Sequence, residues 1–219
     1  MKNLCKSILP LLICVFLLSV LSSCSSTYYG AMEKMGVHKR DILVERVEAG
    51  RDSQTDAQQQ FKSALEQFDS IVKLEETNLK KSYERLNKEY EKSRKAADEV
   101  SSRIDSIESV AKALFKEWKA ELKEYKNKDL RRSSEKQLKN TKAHYEEMLA
   151  TMHAAEKSME PVLQVFHDNV LFLKHNLNAQ AIGSLQDEFA SLETQIGDLI
   201  ESMNVAIASS NEFIAQIKT

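Results

Sequence analysis

Residues 79–118 read LKKSYERLNKEYEKSRKAADEVSSRIDSIESVAKALFKEW, with apolar or small residues at Leu79, Tyr83, Leu86, Tyr90, Ser93, Ala97, Val100, Ile104, Ile107, Ala111, Leu114 and Trp118. Steps of four and three alternate, a mean period of 3.5, which keeps one narrow stripe of an α-helix turned toward a partner. The pattern lasts for nearly six heptads and reads as a coiled-coil-like seam. Two successive steps of four, Leu114 to Trp118 to Leu122, form a stutter that locally relaxes the supercoil. Asn127-Lys128-Asp129 then interrupts the pattern and reads as a turn, with Asp129 expected as the N-cap of the next helix.

The same reading extends in both directions. Downstream, a seam runs Leu138, Thr141, Tyr145, Met148, Met152, Ala155, Met159, Val162, Phe166, Val170, Leu173 and Leu177, with Pro161 inside it. A proline there removes the bond to the Lys157 carbonyl and clashes with it, at a cost of about 3 kcal/mol, so a kink is expected between Lys157 and Glu160. After Asn178 a fourth seam runs Ile182, Leu185, Phe189, Leu192, Ile196, Leu199, Met203, Ala206, Ser210 and Phe213 or Ile214. Upstream lies Leu43, Val47, Gly50, Gln54, Ala57, Phe61, Ala64, Phe68 and Ile71, whose small and polar middle excludes bulky knobs. Four seams joined by short turns predict an all-α fold, an elongated antiparallel up-and-down four-helix bundle with coiled-coil-like seams, kinked at Pro161 in the third helix. Composition agrees: 5 Gly and 2 Pro in 219 residues are too few for a many-turned β or α/β domain. With 42% hydrophobic residues the chain is too apolar for disorder, and 3 Cys cannot staple it.

The first 23 residues differ from the rest. Lys2 and Lys6 precede an apolar run from Ser7 to Leu21, of about 15 residues where a spanning helix needs roughly 20, so the segment reads as a cleaved signal peptide rather than a retained anchor. The site Leu21-Ser22-Ser23-Cys24 resembles the lipobox of bacterial lipoproteins. That resemblance implies cleavage before Cys24, diacylation of its thiol with chains such as palmitate, and acylation of the new amino terminus. Two or more chains anchor stably where one is marginal. Ser25 in place of Asp implies sorting to the outer membrane, lipid-anchored and facing the periplasm. Cys5 and Cys14 leave with the signal, so no free thiol remains for catalysis, a metal or a disulfide. The expected organisation is a signal peptide over 1–23, a lipidated tether with a short helical entry over 24–37, and one helical bundle domain over 38–219. Losing Lys2 and Lys6 takes the formal charge from −2 to −4, which argues against a nucleic-acid partner.

Several stretches also resemble one family as a whole. Tyr28-Tyr29-Gly30-Ala31-Met32-Glu33-Lys34-Met35-Gly36, His38-Lys39-Arg40-Asp41-Ile42-Leu43, Leu130-Arg131-Arg132-Ser133-Ser134-Glu135, Met159-Glu160-Pro161-Val162-Leu163 and Leu173-Lys174-His175-Asn176-Leu177-Asn178-Ala179-Gln180 are similar to a family of Gram-negative lipoproteins with an uncharacterised all-helical domain. The resemblance implies kinship over nearly the whole mature chain and brings no activity with it.

Catalytic templates fail in turn. No GxxxxGK[ST], HExxH or GxSxG occurs, and no Glu-x-x-His precedes any of the 5 histidines. No cofactor and no catalytic residue are expected. His167 and His175, beside Asp168, are the weak candidates for a metal; the alternative is a packed polar layer with Asn169 and Asn176. His144 and His153 fall on opposite helix faces, and His38 reads as surface. Lys112 to Lys142 holds 11 basic residues against 5 acidic. One reading is a solvated helical hairpin with i,i+4 ion pairs. The other is a contact for anionic lipid or an acidic partner through Tyr125, Lys126, Lys128, Arg131 and Arg132. Residues 183–219 carry Asp187, Glu188, Glu193, Asp198, Glu201 and Glu212 against Lys218, a gradient that pairing of the fourth helix with its neighbours would absorb. The functional expectation is an anchored structural or interaction module of the envelope, its partners the membrane through Cys24 and an unidentified envelope protein. The alternatives are a lipid-binding bundle that opens its Pro161 to Leu173 face, and a metal-dependent enzyme at the His167 to His175 region.

Overall fold

The computed structural model describes Tyr29, Met32 and residues 36–73, 79–176 and 179–218. The expected signal peptide, Cys24, the rest of the tether before Gly36 apart from Tyr29 and Met32, and the turn residues Leu177 and Asn178 lie outside them. The described chain is helical: α1 spans Lys39–Lys73, α2 Leu79–Glu121, α3 Lys128–His175 and α4 Ala179–Lys218. The four pack against one another as a ring, α1 on α2 and α4, and α3 on the same two neighbours.

The seams become the core. On α1 every expected position from Leu43 to Ile71 is buried, and on α2 every one from Leu86 to Leu114 except the half-buried Tyr90. Tyr145 to Leu173 on α3 are buried as well, and so are the α4 positions from Leu192 through Phe213 and Ile214. Two aromatic clusters anchor this interior. Phe68 stacks on Phe189 at 5.9 Å and meets Phe166 edge-on at 6.2 Å, with Tyr90 perpendicular to Phe166. Elsewhere Tyr145 joins Phe115 at 5.4 Å and Phe213 at 6.2 Å. Such stacked and edge-on pairs add roughly 0.5–1.5 kcal/mol each beyond the area they bury.

The small and polar middle of α1 has two consequences. Gly50 lets the helices close in, because a Cβ there would stand 2.8 Å from Ile107 Cδ1. One turn on, Gln54 is fully buried, and neither its amide nitrogen nor its amide oxygen has a hydrogen-bond partner among the described residues. Asp69 Oδ1 is likewise buried without a partner among the described residues, whereas several other buried polar groups are satisfied. Ser53 donates to the Gly50 carbonyl at 2.8 Å, Ser210 to Ala206 at 2.6 Å and Asn169 to Val165 at 2.8 Å. Glu89 accepts from Lys92 at 2.8 Å and from Gln60 of α1 at 3.0 Å. Burial raises its pKa, but those hydrogen bonds and the charges of Lys92 and Lys88 outweigh it and hold the carboxyl below its ordinary value.

Helix ends follow local chemistry, with one correction. Asn127, not Asp129, caps α3: its side chain accepts from the backbone N–H of Asp129 at 2.8 Å and of Leu130 at 3.2 Å. Asp129 sits instead in the first turn, where its charge complements the helix dipole. Before α1, Gly36 takes φ +83° while the Val37 N–H donates to the Met32 carbonyl at 3.1 Å, a Schellman-type reversal that a residue with a Cβ would strain. Pro161 is accommodated within α3 with its ring exposed.

Because a buried amide without partners costs about 1–3 kcal/mol, replacing Gln54 by the similarly sized Met should raise the unfolding free energy by that order. Urea denaturation of parent and Gln54→Met measures it, and a fall in stability would show that the amide is used.

Candidate functional site

The residues expected to make an outer contact converge at the α2–α3 connection. α2 winds down through hydrogen bonds from Leu122 to Trp118, Lys123 to Ala120 and Glu124 to Glu121 at 2.9–3.1 Å, and Asn127 then starts α3. The two arms are held together just inside the turn. Trp118 Nε1 donates to Ser134 Oγ at 2.8 Å, and Leu122 is buried beside them. Beyond this clasp every residue from Lys123 to Ser133 is exposed.

Tyr125, Lys126, Lys128, Arg131 and Arg132 all lie in that exposed stretch, in different electrostatic states. Arg131 pairs with Glu135 at 2.9 Å and Arg132 with Asp129 at 2.6 Å, both on their own helix. Such exposed pairs are worth a few tenths of a kcal/mol and leave much of the charge available to solvent. Lys126 and Lys128 have no carboxylate within 4.0 Å among the described residues. Tyr125 is 42% exposed, and Leu130, which the seam analysis passed over, is 57% exposed. Leu130 was detectable as an apolar residue in a helical first turn that fits no seam.

Two partners sat outside the expectations. Lys39, next to the surface residue His38, is buried with its ammonium 2.9 Å from Glu117 of α2. Tyr29 is buried too, and its hydroxyl donates to Ser109 Oγ of α2 at 3.2 Å. Neither contact has a sequence signature, since each joins residues about 80 apart.

The histidines do not form the layer considered for them. His167 lies 4.0 Å from Asp168 and packs on the ring of Tyr90 at 5.1 Å, while His175 is the exposed last residue of α3, about 12 Å further along the axis. Asn169 and Asn176 bond instead to backbone carbonyls of their own helix, Val165 and Phe172. Among the described residues no group of three or more His, Cys, Asp and Glu is arranged to hold a metal ion. The Pro161 to Leu173 face is filled: Val162, Phe166, Val170 and Leu173 are core residues, and the cavity of about 410 Å³ beside Phe172 is edged by Asp168, Asn169 and Glu188. The fourth helix also departs from expectation. Glu188, Glu193, Asp198, Glu201 and Glu212 make no ion pair among the described residues, and the pair that α4 does make joins its own Lys218 to Glu48 at 2.8 Å.

His153 is the one histidine built into a charged cluster. Its Nδ1 is 2.8 Å from Glu156 and its Nε2 is 2.7 Å from Glu108 of α2, so the protonated ring bridges two helices. The Glu156 hydrogen bond raises its pKa most; burial opposes this, and the Glu108 hydrogen bond and the charges of both carboxylates add to the rise. A pKa raised on folding means that protonation stabilises the fold. The contribution is complete below the ordinary value of 6.5 and is lost as pH climbs through the raised value. The stability lost in His153→Ala should therefore be larger in mildly acidic than in alkaline buffer, as thermal melts of both chains will read. A gap independent of pH would mean that the ring acts by packing alone.

No curated protein and no solved structure matches the chain. A family model described as a protein of unknown function, DUF2959, matches residues 28–217, from the residue before the docked Tyr29 to the end of α4. The chain belongs to the DUF2959 family.

Proposed function

We propose that this protein is a structural and interaction module of the Gram-negative cell envelope, held by acylated Cys24 in the periplasmic face of the outer membrane and working by contact rather than catalysis. The observation that carries this reading is Leu21-Ser22-Ser23-Cys24 at the end of a basic-then-apolar leader, placed only five residues before Tyr29. Tyr29, so near Cys24 in the chain, is already buried against α2, as suits an anchored domain. No helix among the described residues is long and apolar enough to cross a membrane.

In this reading the helices run antiparallel, up and down. Pairs that join the start of one helix to the end of the next support it: Lys39 with Glu117 and Arg85 with Gln67 between α1 and α2, and Trp118 with Ser134 between α2 and α3. Glu48 with Lys218 and Val72 with Gln186 do so for α1 and α4. The third helix bends at Pro161, whose exposed side leaves the freed Lys157 carbonyl open to water.

Two measurements test this. Cys24→Ala should leave an uncut or soluble precursor where the parent fractionates with the outer membrane, and retention of the substituted chain in that membrane would sink the anchor. Pro161→Ala should straighten α3 and raise stability by about 1 kcal/mol. A loss of stability instead would mean that the neighbouring helices are packed around the bend.

A further inference from the structure

The Tyr29 contact fixes how far the chain stands from its anchor. Tyr29 lies five steps along the chain from Cys24, about 17 Å at full stretch. Tyr29 is fastened at Ser109, and from Ser109 to the end of α2 at Glu121 is about 18 Å of helix, with the turn lying further out. Even with the length of the tyrosine side chain credited to the tether, Cys24 reaches no further than the level of the turn. The opposite end of α2, at Leu79, is about 45 Å from Ser109 and out of reach.

Resting on the reading of Cys24 as the lipid anchor, we propose that the α2–α3 turn docks on the same bilayer that holds the lipid, pressed there by a tether too short to hold it clear. The occupant of this surface is therefore the lipid headgroup layer beneath the anchor. The turn's chemistry suits it. Tyr125 and Leu130 present apolar surface at headgroup depth, and the unpaired ammonium groups of Lys126 and Lys128 meet anionic headgroups. The flank along α4 does not suit it, because its unpaired, exposed carboxylates would face the same anions. The bundle accordingly stands on its turn rather than lying on α4.

The full chain, expressed and lipidated in cells, tests this with one added cysteine bearing an environment-sensitive fluorophore, at Leu130→Cys or at Val205→Cys on α4, a position 54% exposed. In membranes carrying a lipid-borne quencher, the Leu130→Cys label should be quenched and the Val205→Cys label should not. Quenching at Leu130→Cys should persist in high salt, because the tether enforces contact. A Gly/Ser insert of about 20 residues between Ser26 and Thr27, with a mean span of about 25 Å, should make that quenching salt-sensitive, since only screened charge then holds the turn down. An unquenched Leu130→Cys label on protein that remains in the membrane pellet overturns the docking and leaves the anchor standing. Equal quenching at both positions shows a bundle lying flat and overturns it as well, and salt-resistant quenching despite the insert overturns the role of the tether. Protein released from the pellet would instead overturn the anchor on which the proposal rests.

Discussion

A ring of four helices encloses one narrow core, filled at each level by side chains from the surrounding helices, and the rest of this structure depends on that narrowness. Each turn of each helix sends one or two residues inward, and there is no second layer to receive a misplaced polar group. A seam of steps of three and four is therefore a requirement over the whole length, and a polar residue on it must find a partner within a turn or on the facing helix. Ser53, Ser210 and Asn169 bond to the preceding turn of their own backbone, whereas Glu89 recruits Lys92 and Gln60. Gln54 finds neither solution among the described residues and remains a local fault, next to the close approach that Gly50 permits.

The same narrowness directs recognition outward. Phe61, Phe68, Phe166, Met148, Met152 and Met159 fill the interior, so specificity has to be written on helix faces and ends. The two kinds of surface differ in sign. α4 shows solvent a series of carboxylates without ion pairs among the described residues, while the α2–α3 turn concentrates cations beside exposed Tyr125 and Leu130. An asymmetric rod of this kind orients itself in the field of a charged surface, over the few ångströms to a nanometre that screening allows.

Contacts between distant residues tie this asymmetry to the rest of the molecule. Lys39 with Glu117 and Tyr29 with Ser109 fasten the entry of the chain to the last third of α2. Trp118 with Ser134 ties α2 to α3 just inside the turn that joins them. His153 links α2 to α3 through two glutamates, a junction whose strength follows the protonation of one ring.

Period, helix count and core membership were legible in the sequence. A single narrow core exposes the hydrophobic pattern directly, and each residue from Leu43 to Ile71 expected on the first seam is buried. The basic turn was legible for a related reason: its residues are adjacent in the chain, so composition alone gathers Tyr125, Lys126, Lys128, Arg131 and Arg132. Tertiary structure alone decided which charges are spent. Nothing local marks Lys39 as buried while His38 beside it is exposed, or directs its ammonium to Glu117 of α2. The docking of Tyr29 on Ser109 and the bond of His153 to Glu108 across α2 and α3 were likewise settled in three dimensions. The physical reason is range. Burial of a helical stripe is dictated by neighbours three and four residues away, whereas a hydrogen bond or ion pair is fixed within about 3 Å by the relative position of helices far apart in sequence.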